Sequence, residues 1–478
     1  MVLRTRRPSQ RLRFSFSRQA FLVTRSRTLP RPIVVAAARL AAAALACAAS
    51  TGRVGAARAA EPVGLDRPID PVAIEGARVP EVLGRPIASL RVAAWRDGGW
   101  VPIPFQVDER DAKGGWVYSA GPEAGADDDG GRFDANDVLF VMARDLAGRR
   151  PPDAPPPAAE GAVAPAALRE LAVRDPLDGR TAFAYLTAWD GAAPPASTLD
   201  YVRYTPETDE VRAANFSAGF NDKVPFAIDR LGRLLADGTW APSHVDILKI
   251  RLRSTIWSVY DFDRDQDDFE SVTAAWIDGP VRVVLHKGMS VAMVLGIQTP
   301  KLWNDTIFLP HSFQYSVDIA LPFSIPAIFS KFELTSGVDF DGLTGAKLYV
   351  KGVPEPVAVQ GNPDHSALDA LRASGAEQRV TALDWNGSFS LTRIHIDRSV
   401  PLRVKVRWVD DPALEDPPER KRGATPGLYF DFENWLGVEQ RNVTIGTGIY
   451  LPPGFEHGQE EIFERRLDHP LEVVETAR

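Results

Sequence analysis

The chain has 478 residues, 45% of them hydrophobic, with 55 basic and 63 acidic side chains and a net charge of −8. That length can bury at least one large core and fits two folded units. The acidic balance argues against a nucleic-acid partner, which calls for clustered cations against phosphate.

Residues 1–59 hold twelve arginines, no lysine and no acidic residue. An Arg-rich start, an Ala-rich apolar stretch from Ile33 to Ala49 and the small residues Ala57-Arg58-Ala59 together read as an export signal cleaved near Ala59. The stretch is broken by Arg39 and falls short of the roughly 20 strongly apolar residues of a membrane span, so no transmembrane segment is expected in the mature chain. Ser17-Arg18-Gln19-Ala20-Phe21-Leu22 resembles a twin-arginine signal with Gln in place of the second Arg. Cys47, the sole cysteine, follows Ala44-Leu45-Ala46, a displaced lipobox that would make a lipoprotein. Cleavage at Ala59 removes that cysteine, and with it any disulfide, thiolate nucleophile or paired-cysteine haem attachment. It leaves 43 basic and 63 acidic residues, a net charge of −20 suited to calcium and to neutral sugars. The expected location is periplasmic or secreted.

In chain order, Ala88–Trp95, Trp100–Asp108, Val138–Ala143 and Thr181–Trp189 carry the apolar patterning of strands between Gly and Asp turns. They predict a small N-terminal β-sandwich over residues 60–205, with a Pro/Ala-rich loop at 148–167. Residues 206–478 predict a large antiparallel β domain. Its candidate strands are Val245–Val259, Ser271–Ile277, Val281–Leu285, Val291–Ile297, Phe313–Leu321, Ala346–Val350, Phe389–Ile396, Leu402–Val409 and Val443–Tyr450. His365–Ala373 is the one clear helical segment. The fold class is therefore all-β, a small sandwich followed by a large, supersandwich-like one.

Two acidic segments could hold a hard cation such as Ca2+, which takes six to eight oxygens. The first places Asp127, Asp129, Asp134, Asn136 and Asp137 before the apolar strand at Val138. The second places Asp261, Asp263, Asp265, Asp267 and Asp268 after an Ile/Trp/Tyr-rich strand. An EF-hand is excluded there, because Gln266 replaces the loop glycine and Val272 the terminal Glu. For both, the plainer reading is a solvated acidic turn whose side chains bond its own backbone.

The run Val101-Pro102-Ile103-Pro104-Phe105-Gln106-Val107-Asp108-Glu109, the Asp/Gly loop at 127–131 and Asn136-Asp137-Val138-Leu139-Phe140 together resemble secreted bacterial β-sandwich proteins, many uncharacterised. The likeness covers roughly residues 98–145. Some of those proteins are associated with polysaccharide degradation through a following supersandwich, so the resemblance implies a carbohydrate-related role; it carries no catalytic residue.

Seven histidines form no local zinc pattern, and there is no Gly-x-Ser-x-Gly elbow, P-loop or dinucleotide fingerprint, so a bound nucleotide is not expected. Candidate ligand contacts are Tyr429 and Trp435, as sugar-stacking aromatics, and His311, which could meet His286 across strands. The reading is a carbohydrate-binding or carbohydrate-processing protein, with Ca2+ as its candidate cofactor and a polysaccharide or oligosaccharide as partner. Its rivals are a non-enzymatic cell-envelope component and a binding subunit of a periplasmic complex.

Overall fold

The computed structural model describes residues 64–475, apart from 128, 236, 292–298, 300, 321–323, 362–364, 386, 419–420, 422–425 and 440–441. The chain is all-β as its patterning predicts, built from antiparallel sheets. Near the N-terminus a three-stranded sheet (Pro71–Glu75, Val138–Met142, Gln106–Asp108) packs on a five-stranded one. The latter runs Glu472–Val474, Ala167–Arg174, Thr181–Ala188, Leu90–Arg96, Gly99–Pro102. Val72, Ile74, Val92, Leu139, Leu171 and Leu186 are among the residues sharing their core. Strand alternation decides which residues point inward, as in the exposed–buried repeat of Pro71–Glu75. Val138–Met142 is buried at every position because it is the central strand, covered on both faces.

The remainder is organised around a nine-stranded sheet ordered Phe269–Asp278, Val283–Val291, Leu302–Leu309, Ser312–Ala320, Asn442–Tyr450, Ser388–Ile396, Val380–Trp385, Lys347–Val350, Val357–Ala358. One face is covered in two stretches. The sheet formed by Val202–Thr205, Glu210–Ala213, Phe216–Phe220, Ile228–Leu234 and Trp240–Ala241 packs Phe216 and Phe220 against Val283, Leu285 and Phe308. The sheet Tyr260–Asp265, Val245–Ile256, Phe329–Phe340, Gly427–Glu433, Arg403–Val409 packs Phe430, Phe432 and Val404 against Ile394, Val443 and Ile445. On the opposite face the helix Glu460–Asp468 lays Phe463 on Leu391 and Tyr450.

Most expected strands are present within a residue or two, and Ser366–Ala373 is helical. Val291–Ile297 lies largely outside the described residues. Several elements lie outside the expected strands and helix, among them the strands Phe216–Phe220, Leu302–Leu309 and Phe329–Phe340, the charged helix Glu460–Asp468, and the strand Tyr260–Asp265, expected as an acidic loop. Residues 148–166 hold no strand. The segment is pinned by Trp100 Nε1 donating to the Pro155 carbonyl and Arg150 donating to that of Ala154.

One buried lock joins the N-terminal strands to the nine-stranded sheet and positions the site described next. Gln106 Nε2 donates to Asp108 Oδ1 at 2.7 Å, and its Oε1 accepts from the backbone N–H groups of Val281 and Arg282. Asp108 Oδ2 takes the Arg282 guanidinium at 2.5 Å, which lies over the Phe140 ring. Gly279 is required here, since a Cβ would stand 2.4 Å from Gln106 Oε1. The Gln-then-Asp strand of the resembled pattern thus satisfies buried polar groups, which are costly when unpaired.

Candidate functional site

The loop before Val138 folds around its own aspartates. Asp137, fully buried, accepts from the N–H groups of Arg110 and Asp134. Asp134 Oδ1 accepts from those of Asn136 and Asp137, and Asp129 Oδ1 from those of Gly131 and Arg132. Gly130 and Gly131 both take positive φ, 73° and 74°, a turn that side chains resist. Phe133 anchors the loop in the sandwich core. These bonds use one oxygen each of Asp129 and Asp134 and both oxygens of Asp137.

One carboxylate oxygen from each of Asp127, Asp129 and Asp134 lies within 4.8 Å of the others. Around them, Asp129 Oδ2, Glu109 Oε1 and Asn136 Oδ1 are buried with no hydrogen-bond partner among the described residues. Burial, then the charges of Asp137, Asp129, Asp127 and Asp134, raises the Glu109 carboxyl above its ordinary range. Burial foremost pushes Asp137 up to about 6. Converging hard oxygens under mutual repulsion are what a divalent cation relieves, and carboxylate plus amide oxygens suit Ca2+. Asp127, Asp129 and Asp134 are the residues brought together to hold it, with buried oxygens of Glu109 and Asn136 in the surroundings and Asp137 orienting the loop. Glu109 is the neighbour the sequence patterning overlooks.

The second acidic segment is differently placed. Tyr260–Asp265 pairs with Val245–Ile256 so that Asp265, Asp263 and Asp261 stand opposite Arg251, Arg253 and Thr255. Thr255 Oγ1 donates to Asp261 Oδ1 at 2.8 Å. Asp265 and Asp268 form a capping box on the short turn Gln266–Asp268, each accepting a backbone N–H. Asp267 is exposed. These five aspartates form no converging group among the described residues: Thr255 and backbone donors use Asp261, Asp265 and Asp268, while Arg251 gives its guanidinium to Asp416 and Gln266.

Beside the first loop lies a triad that the sequence does not announce. Tyr118 donates to Asp305 Oδ1 at 2.7 Å, and His286 Nδ1 stands 2.7 Å from the same oxygen and 2.9 Å from the phenol. His286 and Asp305 are direct partners on neighbouring strands of the nine-stranded sheet. The imidazole is stacked between Tyr118 and Trp303, whose ring is parallel to it within 4° at 4.8 Å. Gly288 lets that indole lie flat, as a Cβ there would meet it at 2.7 Å. Burial and Asp305 raise the Tyr118 phenol far above its ordinary value, so it remains a donor. A carboxylate only accepts, so His286 carries its proton on Nδ1 and presents a basic Nε2, which has no protein partner among the described residues. Gly125 N–H donates to the Tyr118 carbonyl, so the segment that carries Tyr118 is tied to the chain entering Asp127.

The remaining predicted contacts lie elsewhere. Tyr429 is buried, donating to Asp339 Oδ1, while Lys249 Nζ pairs with Asp339 Oδ2 at 2.6 Å. Trp435 is 1% exposed and packs against Phe332 within the large core. His311 is buried at a strand turn, and burial, then Arg144, pushes it down to about 4. His286 and His311 are not joined by any hydrogen bond or ring contact among the described residues.

No family model matches the chain, and no curated protein matches it. Among solved structures, an α-mannosidase from Enterococcus faecalis V583 superposes with a TM-score of 0.35 at 9% identity, over 65% of this chain and 39% of that one. A protein in glycosyl hydrolase family 38 from Enterococcus faecalis superposes with a TM-score of 0.38 at 8% identity, over 82% and 42%. The chain spans about two fifths of the length of either chain. Likeness at this level says nothing of activity.

Proposed function

We propose that this is an exported, calcium-dependent carbohydrate-binding protein whose ligand sits on Trp303 and His286. Calcium held by Asp127, Asp129 and Asp134 orders the chain that carries Tyr118, and Tyr118 completes the ligand surface. The indole offers a sugar-stacking face. The Nε2 of His286 accepts from a sugar hydroxyl, and it is the group to take up a proton if binding leads to turnover. The observation that carries this reading is the adjacency of buried, partnerless oxygens to the Tyr118–His286–Asp305 set through the Gly125–Tyr118 backbone bond.

The test is a glycan array and titration calorimetry with the best-binding oligosaccharide, in calcium and in EDTA, on the wild type and Trp303→Ala. Binding that needs both calcium and Trp303, with affinity at least tenfold lower in the variant, supports the proposal. Glycan binding unchanged by EDTA and by the variant would refute it. A purely structural envelope role has one observation in its favour: Tyr429 and Trp435, the aromatics best suited by sequence to line a cleft, are buried.

A further inference from the structure

Between the nine-stranded sheet and the sheet centred on Phe329–Phe340 lies a cavity of about 100 Å³. Its walls are mainly apolar and include Leu248, Phe313, Val338, Ile394, Phe430 and Ile449. Tyr315, Ser336 and Thr447 add hydroxyl groups to the wall. A second cavity of about 60 Å³ continues from it, sharing Leu231, Val245, Phe340, Leu383 and Ser390. Here the character changes, because Arg233, His244 and Trp385 join the lining. Arg233 Nη2 donates to the Phe389 carbonyl at 2.7 Å, its one hydrogen bond among the described residues. His244 bonds the Asp341 carbonyl through Nδ1, while its Nε2 is buried without a partner among the described residues.

An apolar void between packed sheets forfeits contacts that a filled core would make, and it stays dry rather than watered. Paired sheets stand about 10 Å apart, so the space left when facing side chains draw back is about one aliphatic chain thick. A guanidinium and a partnerless imidazole nitrogen at one end supply what a carboxyl group needs.

We infer that the sandwich binds a single-chain aliphatic carboxylate, its tail between the sheets and its head group at Arg233 and His244. The carboxyl accepts from the Arg233 guanidinium and shares a proton with His244 Nε2. This site is separate from the Trp303 surface and stands or falls independently of it.

The experiment is titration calorimetry of the purified protein with hexanoate and with hexanol, a chain short enough for two joined cavities of about 100 and 60 Å³. Three proteins are compared: wild type, Ser390→Phe, which fills the junction of the two cavities, and Arg233→Met, which alters only the head-group end. The expected result is saturable binding in the wild type and at least tenfold weaker binding in Ser390→Phe. Hexanoate should bind at least fivefold more tightly than hexanol, a preference that Arg233→Met abolishes. No binding heat in the wild type, or equal binding by a folded Ser390→Phe, overturns the site. Equal binding of acid and alcohol in the wild type, or an unchanged preference in Arg233→Met, overturns the head-group assignment.

Discussion

Two acidic segments that look alike in sequence meet opposite fates in the fold. Asp261, Asp263 and Asp265 lie on one face of a strand, opposite Arg251, Arg253 and Thr255. Asp127, Asp129 and Asp134 turn one oxygen each toward a common point beside partnerless atoms of Glu109 and Asn136. What separates a candidate cation site from an acidic strand is whether carboxylate oxygens are brought to one point, rather than the density of aspartates. A third case marks the limit of pairing: Asp108 is buried, with both oxygens committed to Gln106 and Arg282.

Arg282→Ala should produce the largest effect. It leaves the Asp108 carboxylate buried and short of its cation, and the expected loss is about 3–5 kcal/mol of unfolding free energy in urea. A loss below about 1 kcal/mol would mean that Asp108 finds another partner.

Acid titration comes next. In metal-free protein the folded Asp137 carboxyl titrates near 6 against an ordinary 3.8. Its contribution to stability is therefore fully present below the unfolded value and lost as pH rises through about 6, amounting to up to about 3 kcal/mol. The melting temperature in EDTA, compared between the wild type and Asp137→Asn at pH 4 to 8, should show this slope in the wild type alone. With calcium the dependence should reverse, because the cation competes with protons and binds more weakly in acid. A pH-independent difference between the two proteins would remove Asp137 from the loop's electrostatics.

The smallest effect belongs to the paired segment. Asp265→Ala removes one half of a capping box and should cost about 1 kcal/mol by chemical denaturation, with calcium response unchanged. A calcium-dependent change in that variant would show that the second segment also takes part in cation binding.

The β character of the chain was legible because alternation survives in strands with one buried face, such as Arg403–Val409, where Val404, Val406 and Trp408 point inward. Tyr260–Asp265 was hidden because its outward residues are acidic and Phe262 is its one deeply buried side chain. A signal was nonetheless present. Arg251-x-Arg253-x-Thr255 mirrors Asp261-x-Asp263-x-Asp265 about Trp257 and Ser258, which take the positive φ of a tight hairpin turn. Acidic residues at period two, facing cations at period two across a short gap, read as a charged hairpin before they read as a metal loop. At the candidate site the converging aspartates could be read locally, since three lie within eight residues. Tyr118, His286 and Asp305 could not, because 168 residues separate the first two and only the strand register makes the last two neighbours.

The most direct measurement is calcium binding by titration calorimetry on the wild type, Asp129→Ala and the Asp263→Ala, Asp265→Ala double variant. The expected result is one site in the wild type, kept in the double variant and weakened at least a hundredfold in Asp129→Ala. Binding that survives in Asp129→Ala and vanishes in the double variant would contradict the account.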